Sequence, residues 1–307
     1  MRRGAAVVPR RSRELAGYLF IAPTLIFLAV VIAVPLVSTV KLSFEELEFR
    51  TRATTFVGLA NYVALLGDRL FWRSLEQSFL FAIGSTIGHL VVGTCLALLL
   101  QGGWARAGLR NVVRGLLILP WLFSLAAAAL IWGLLYQATG PINHLLVTSG
   151  LFRTPVDFLG NPDLALWSLV LINVWKAYPF YMVMILGGLQ TIPGDLYEAA
   201  RIDGAGAWQR FCYVTLPLLR PIIVATTALD MITTVTTFDL VKIMTNGGPM
   251  RSTQTLTFYI WQAGLRDINF GYGAAMSVAM LLILGVATLL YLRVVSRGID
   301  AGASAEI

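Results

Sequence analysis

Six stretches of this sequence are long and apolar enough to cross a lipid bilayer, and they limit the possible folds more than any other feature. A bilayer core about 30 Å thick is crossed by about 20 helical residues. The stretches lie at residues 15–40, 75–101, within 115–137, 164–188, 221–240 and 270–292. Only 13% of the residues are charged, against about 25% in soluble domains, which argues against a soluble enzyme or a secreted module. We predict an all-α integral membrane protein with six transmembrane helices.

The distribution of basic residues indicates how the chain is oriented in the membrane. We divide it into a basic tail at residues 1–14, a six-helix domain at 15–296 and a second tail at 297–307. The first apolar stretch is too long for the core of a cleavable signal peptide, so it should remain as a helix. With both ends inside, the inner segments carry 13 Lys and Arg residues and the outer segments nine. This bias predicts cytoplasmic termini in a bacterial-type plasma membrane.

Prolines and glycines within the apolar stretches predict local changes in helix geometry and packing. Pro23, Pro35 and Pro179 should kink or open their helices, because proline cannot donate a backbone hydrogen bond. Gly84 and Gly88 form a Gly-x-x-x-Gly pair. Such a pair lets a neighbouring helix approach closely, so we interpret it as a packing motif.

A polar loop at residues 195–217, between the fourth and fifth stretches, has the pattern of a helix, a turn and a helix. Asp195 stands three residues before Glu198, which is the spacing of a capping box. A short helix should therefore begin at Asp195 and end near Asp203. Gly204 should occupy the turn, because a positive φ costs glycine little.

The second half of the loop is predicted to form its own helix before the chain re-enters the membrane. Gly206 completes the turn, and a helix can extend over residues 207–216. Pro217 and Pro221 should mark its end, because proline interrupts the hydrogen-bond ladder of a helix.

The residue pattern of this loop is similar to that of a known transporter family. The residues that carry the resemblance are Glu198-Ala199-Ala200, Asp203-Gly204-Ala205, Phe211, Leu216-Pro217 and Pro221. They resemble the EAA loop in the membrane subunits of binding-protein-dependent ABC importers, in particular the maltose and glycerol-phosphate type, which imports carbohydrates. Two further segments are similar to outer-loop signatures of that group, Asn246-Gly-Gly-Pro249 and Phe270-Gly-Tyr-Gly-Ala-Ala275. The resemblance covers roughly residues 15–295.

The resemblance implies a six-helix permease of the type I ABC importer architecture whose loop is a coupling helix, seated in a cleft of a cytoplasmic ATPase. The coupling residues that it assigns are Glu198, Ala199, Ala200, Asp203, Gly204, Ala205 and Phe211. It also implies three kinds of partner: a second, homologous permease subunit, two ATP-binding subunits and an extracytoplasmic solute-binding protein. For Glu198, contact with the ATPase and local capping with Asp195 remain open as two interpretations.

The sequence contains no motif for a nucleotide, metal or enzyme site. No Gly-x4-Gly-Lys-Ser/Thr segment occurs, so we expect ATP and its Mg²⁺ to be bound by the partner ATPase, with no cofactor on this chain. Cys95 and Cys212 lack the spacing of metal ligands. No catalytic motif accompanies His89 or His144, and the scattered basic residues argue against nucleic-acid binding. We therefore expect a transport subunit rather than an enzyme.

Two ionisable side chains within the predicted spans mark a candidate substrate site. Lys176 lies in the fourth span and Asp230 in the fifth. Ionisable groups inside a membrane are costly and usually belong to a solute path or to a charge pair. Matched to the sugar-contacting helices of the maltose importer's larger channel subunit, the resemblance assigns substrate contacts to Asn173, Lys176, Ala177, Phe180, Asp230, Thr233, Thr234 and Thr237.

These assignments have alternatives. Lys176 and Asp230 could neutralise each other across adjacent helices, while the threonines bond to carbonyls of their own helix. We interpret His89 as a hydrogen-bonding residue between helices. For the whole chain, the alternative is an ATP-independent secondary carrier or channel for a small polar solute, with Lys176 and Asp230 as an ion-coupling pair.

Overall fold

The computed structural model describes residues 10–48, 53–102 and 106–303. Residues 1–9 of the predicted N-terminal tail and 304–307 of the C-terminal tail lie outside this range. The helices before the polar loop are α1 (Arg10–Leu28), α2 (Val34–Leu42), α3 (Ala60–Gly67), α4 (Arg69–Gln101), α5 (Ala107–Leu122), α6 (Leu125–Leu135), α7 (Pro141–Thr148) and α8 (Pro162–Thr191). Those that follow are α9 (Gly194–Ile202), α10 (Ala207–Arg210), α11 (Leu216–Val235), α12 (Asp239–Met244), α13 (Leu256–Trp261) and α14 (Phe270–Ala303).

Five of the predicted spans are confirmed as runs of helix long and apolar enough to cross a membrane. They are Phe20–Leu42, Arg69–Gln101, Pro162–Thr191, Ala207–Met244 and Phe270–Val294. The first run contains a π-helical segment, Ala29–Ala33, directly before Pro35. This is the local opening expected there, whereas α1 and α8 continue as α-helix through Pro23 and Pro179.

The third predicted span is not one uninterrupted helix. α5 and α6 meet at an angle of 97°. Pro120 lies in the last turn of α5, and the Ser124 side chain accepts a hydrogen bond of 3.1 Å from the Ala127 N–H at the start of α6. The expectation of a single helix within residues 115–137 was therefore wrong. The chain forms two helices there, and Ser124 stabilises the start of the second by accepting a hydrogen bond from a free N–H of its first turn.

The fifth span is continuous with the polar loop. The π-helical segment Phe211–Thr215 connects α10 directly to α11, so the prediction that Pro217 and Pro221 end the loop's second helix was wrong. Pro217 lies in the first turn of α11, after the wider π turn, where its missing N–H disturbs the ladder least. The helix ends at Val235 instead, and α12 begins only at Asp239.

The chain divides into two compact units, of which the first contains the chain up to Gly67 and Ala263–Ala279. It includes an antiparallel hairpin of β1 (Glu45–Glu48) and β2 (Ala53–Phe56), which the sequence analysis did not predict. Asn61 holds the hairpin by donating hydrogen bonds to the carbonyls of Ser43 (3.0 Å) and Glu45 (3.2 Å). An amide side chain of α3 therefore binds the backbone at the start of β1 and just before it.

The second unit contains Asp68–Gln262 and the chain from Met280 onward, and its main packing contact joins α4 to α8. Glycines of α4 allow this contact. A Cβ atom at Gly84 would lie 3.0 Å from Trp167, and one at Gly88 would overlap Val174. The packing role predicted for the Gly-x-x-x-Gly pair is thus confirmed, because a side chain at either position would push the helices apart.

We expect Gly93→Ala to destabilise the protein, because Gly93 of α4 faces the backbone of α8. A Cβ there would lie 2.9 Å from the Met182 nitrogen and 3.1 Å from the Tyr178 carbonyl oxygen, which cannot rotate away. Overpacking of this kind costs about 1–3 kcal/mol. Gly187→Ala in α8 is the matched control, because nothing lies within 4 Å of its added Cβ. Thermal unfolding in detergent should show a lower midpoint for Gly93→Ala only; equal midpoints would contradict the close packing.

Candidate functional site

A cavity of about 330 Å³ lies among α8, α11 and the junction of α5 with α6. The residues that line it are Trp121, Leu125, Asn173, Lys176, Ala177, Phe180, Leu229, Asp230, Thr233, Thr234 and Thr237. All eight residues predicted to contact substrate are among them. The four predicted residues of α8 share one face of that helix, and Asp230, Thr233 and Thr234 share one face of α11. Thr237 lies just beyond the end of α11. The volume falls in the range of small-molecule sites.

The cavity wall combines aromatic surface with hydrogen-bonding groups. The rings of Trp121 and Phe180 lie 5.9 Å apart, centroid to centroid. Asn173 is buried, and its Nδ2 has no hydrogen-bond partner among the described residues. The Thr233 hydroxyl donates to the Asp230 carbonyl at 2.9 Å, and that of Thr237 to the Thr233 carbonyl at 3.3 Å. The threonine oxygens keep lone pairs for a solute hydroxyl, and the rings offer flat apolar faces.

The Asp230 carboxylate is held by four side chains and is only 5% exposed. Its Oδ2 accepts hydrogen bonds from the hydroxyls of Thr86 (2.8 Å) and Tyr181 (3.3 Å), and its Oδ1 from Thr234 at 3.2 Å. His89 Nδ1 lies 2.9 Å from Oδ2. Hydrogen bonds of this number offset much of the cost of burying a carboxylate.

His89 connects α4 to both cavity helices. Besides its contact with Asp230 on α11, its Nε2 lies 3.0 Å from the backbone carbonyl of Asn173 on α8. The imidazole is fully buried. The prediction of an interhelical hydrogen-bonding histidine is confirmed, although the sequence did not indicate that its partner would be Asp230.

Lys176 does not pair with Asp230. Among the described residues, it forms no salt bridge and no hydrogen bond, and it is partly exposed in the cavity. The alternative in which these two charges neutralise each other is therefore wrong, because His89 takes the place of the lysine. The other part of that alternative is confirmed, since Thr233 and Thr237 bond to their own helix.

The polar loop at residues 195–217 begins with a short helix, α9, that ends in a Schellman motif. The Gly204 N–H donates to the Arg201 carbonyl at 3.0 Å, and the Ala205 N–H to the Ala200 carbonyl at 2.8 Å. Gly204 has a φ of 80°, as predicted. This pair of bonds defines the motif, in which the residue after the helix takes a left-handed conformation. Arg210 of the next helix adds a hydrogen bond of 2.9 Å to the Ala205 carbonyl.

The capping box predicted at the start of this helix is not formed. α9 begins at Gly194 with Pro193 as its N-cap and has no side-chain capping hydrogen bond. Asp195 lies inside the first turn, too far along the helix to act as the cap. Glu198 is exposed and has no hydrogen bond or salt bridge among the described residues. The local interpretation of Glu198 is therefore wrong.

Large apolar side chains of the loop are exposed. Ile202 is 86% exposed, Trp208 74% and Tyr213 80%. Phe211, predicted to take part in coupling, is partly buried and its ring lies 5.5 Å from that of Trp208. Exposed apolar groups gathered in one segment are typical of a protein interface.

Comparison with known proteins identifies the family. The sequence model of the family described as "Binding-protein-dependent transport system inner membrane component" matches residues 89–300. The chain belongs to this family. The trehalose/maltose transport system permease protein MalF of Thermococcus litoralis is 35% identical over 91% of this chain and 92% of that protein. The sulfoquinovosyl glycerol transport system permease protein SmoG of Agrobacterium fabrum is 36% identical, over 92% and 91%.

A solved structure shows the same fold. One chain of a bacterial ABC transporter involved in the import of the acidic polysaccharide alginate aligns with a TM-score of 0.79 at 22% identity. The alignment covers 93% of this chain and 96% of that chain. At this level of identity the likeness concerns the arrangement of the helices, which confirms the type I permease architecture.

Several residues of this permease site were not predicted from the sequence. Trp121, Leu125 and Leu229 line the cavity, and Thr86 and Tyr181 bind Asp230. Pro120 followed four residues later by Ser124 was an available signal for a break in the third span. For Thr86 and Tyr181 the sequence offers no comparable signal, because their contacts depend on how α4, α8 and α11 pack.

Proposed function

We propose that this chain is the transmembrane subunit of an ATP-driven carbohydrate importer and forms the translocation path together with a second permease subunit. The observation that carries the proposal is the helical continuity between the exposed coupling loop and α11, which lines the cavity. A displacement of the loop is thereby passed to the cavity wall. The names of two relatives, which concern trehalose and maltose or sulfoquinovosyl glycerol, favour a sugar or a sugar derivative as solute.

The partners follow from the same proposal. Two cytoplasmic ATPase subunits bind ATP and Mg²⁺ and receive α9 in a surface cleft, with Glu198, Ala199 and Ala200 at the contact. Alanines bring the helix backbone close to the partner, and the free Glu198 carboxylate is available to an arginine there. An extracytoplasmic binding protein delivers the solute to the opposite face, as the description of the family implies. The termini lie in the cytoplasm of a bacterial-type cell.

Transport proceeds by alternating access in this scheme. ATP binding closes the two ATPase subunits and moves α9, whose Schellman turn and Arg210 hydrogen bond make the loop rigid. The motion enters the membrane along the continuous helix from Ala207 to Val235. The cavity then opens to one side or the other, because Thr233 and Thr234 move relative to α8.

The proposal is tested by uptake into proteoliposomes that contain this chain, its neighbouring permease, the ATPase and the binding protein. Labelled sugars, polyols and glycerol phosphates are supplied with and without internal ATP. We expect uptake of at least one solute that requires ATP, the binding protein and this chain. Uptake that continues without ATP would refute the importer and favour a secondary carrier.

A further inference from the structure

We infer that the cavity selects a solute that carries a negative charge, such as a carboxylate, sulfonate or phosphate on a sugar. The inference rests on the proposed transport function and adds a solute class to it. Its basis is the difference between the two ionisable side chains that line the cavity. Asp230 is fully partnered, whereas Lys176 has no partner among the described residues.

The His89–Asp230 pair contributes no net charge to the cavity. His89 Nε2 faces the Asn173 carbonyl oxygen, which can only accept a hydrogen bond, so Nε2 carries a proton. His89 Nδ1 faces the Asp230 carboxyl group at 2.9 Å. One proton must lie between these two groups, since a bare nitrogen lone pair would face a carboxylate lone pair otherwise. Whether that proton is assigned to His89 or to Asp230, the sum of their charges is zero.

Lys176 therefore carries the net charge of the cavity. It is the single cationic side chain among the described residues that line the cavity, and Asp230 is the single acidic one. Because the charge of Asp230 is compensated by His89, the ammonium charge of Lys176 is left for the solute. An anion next to the ammonium group gains a charge-assisted hydrogen bond. The aromatic rings and threonines then contact the remaining, neutral part of the sugar.

The test compares two solutes that differ only in one anionic group. Sulfoquinovosyl glycerol and glucosyl glycerol form one such pair, and cellobiouronic acid and cellobiose form another. ATP-dependent uptake of each is measured with the reconstituted complete transporter. For the wild type we expect a ratio of acidic to neutral uptake above one, and for Lys176→Gln a ratio lowered by about tenfold or more. Lys176→Arg should retain the preference for the acidic member.

Two further variants identify the source of the preference. His89→Gln removes the compensation of Asp230, so the cavity becomes neutral overall and the ratio should also fall. Lys41→Gln is the matched control, because Lys41 lies outside the cavity, exposed and paired with Glu45. A changed ratio in these variants reports on the permease, since the binding protein is the same throughout.

The outcomes separate this inference from the proposed function. ATP-dependent uptake that favours the neutral members, or a ratio that Lys176→Gln leaves unchanged, would overturn the inference while the importer stands. A lack of ATP-dependent uptake for every solute would overturn the proposed function and the inference with it. Preferential uptake of the acidic members that Lys176→Gln abolishes, and Lys41→Gln does not, would support both.

Discussion

Gly204→Pro is expected to reduce ATP-dependent uptake by about 100-fold, because proline cannot form the turn that ends α9, the helix proposed to contact the ATPase. Gly204 has a φ of 80°, whereas the proline ring holds φ near −65°. The change also removes the Gly204 N–H that donates to the Arg201 carbonyl. The Schellman motif would be lost, and α9 would no longer be held in a fixed orientation relative to α10.

The control for this prediction is Gly204→Asn at the same position. Nothing lies within 4 Å of a Cβ added to Gly204, so the size of the side chain is not limiting. Asparagine adopts the left-handed conformation more readily than other residues and is found at this position of helix ends. We expect the asparagine variant to retain most of the uptake. Both variants are examined for co-purification of the second permease, which shows that the membrane domain is assembled. Equal uptake by the proline and asparagine variants would refute a role for the turn.

His89→Ala is expected to lower the free energy of unfolding by about 3 kcal/mol or more, because it removes one partner of a buried hydrogen-bonded pair and leaves the Asp230 carboxyl group without it. His89 is fully buried and joins α4 to α8 and α11 through its two ring nitrogens. Without it, the Asp230 carboxyl group loses a hydrogen-bond partner, and an empty volume remains between the helices. Unfolding of the purified complex in detergent, followed by heat or denaturant, measures the loss.

Two comparisons make this prediction specific. His144→Ala replaces the other histidine of the chain, which is exposed on α7, and should change the free energy by less than about 0.5 kcal/mol. The double variant His89→Ala, Asp230→Leu should be less destabilised than His89→Ala alone, because no buried carboxyl group is left without a partner. If both histidine variants unfolded alike, the contact of His89 with Asp230 would have no energetic importance.

Much of the architecture could be predicted because membrane solvation acts directly on the sequence. Lipid requires long apolar helices, so the five spans confirmed by the structure were apparent as stretches with few charged residues. The turn at Gly204 was also predictable, because few residues other than glycine adopt a positive φ at low cost. The prediction of a capping box between Asp195 and Glu198 was wrong, because sequence spacing does not fix the residue at which a helix begins. Its spacing fits the motif, but the chain starts the helix at Gly194 and so places Asp195 inside it.

The sequence by itself determined that the chain has helices able to span a membrane, where the polar loop with its glycine turn lies and which two helices carry the polar residues of the cavity. It could not determine which side chains meet Asp230, because Thr86 and His89 of α4 are far from Asp230 along the chain and reach it only when α4 packs on α8 and α11. The glycines of α4 permit this close packing. As a result His89, and not Lys176, contacts the Asp230 carboxyl group. Hydrogen-bond partners in a membrane interior depend on the distance between helices, and only the tertiary structure sets that distance.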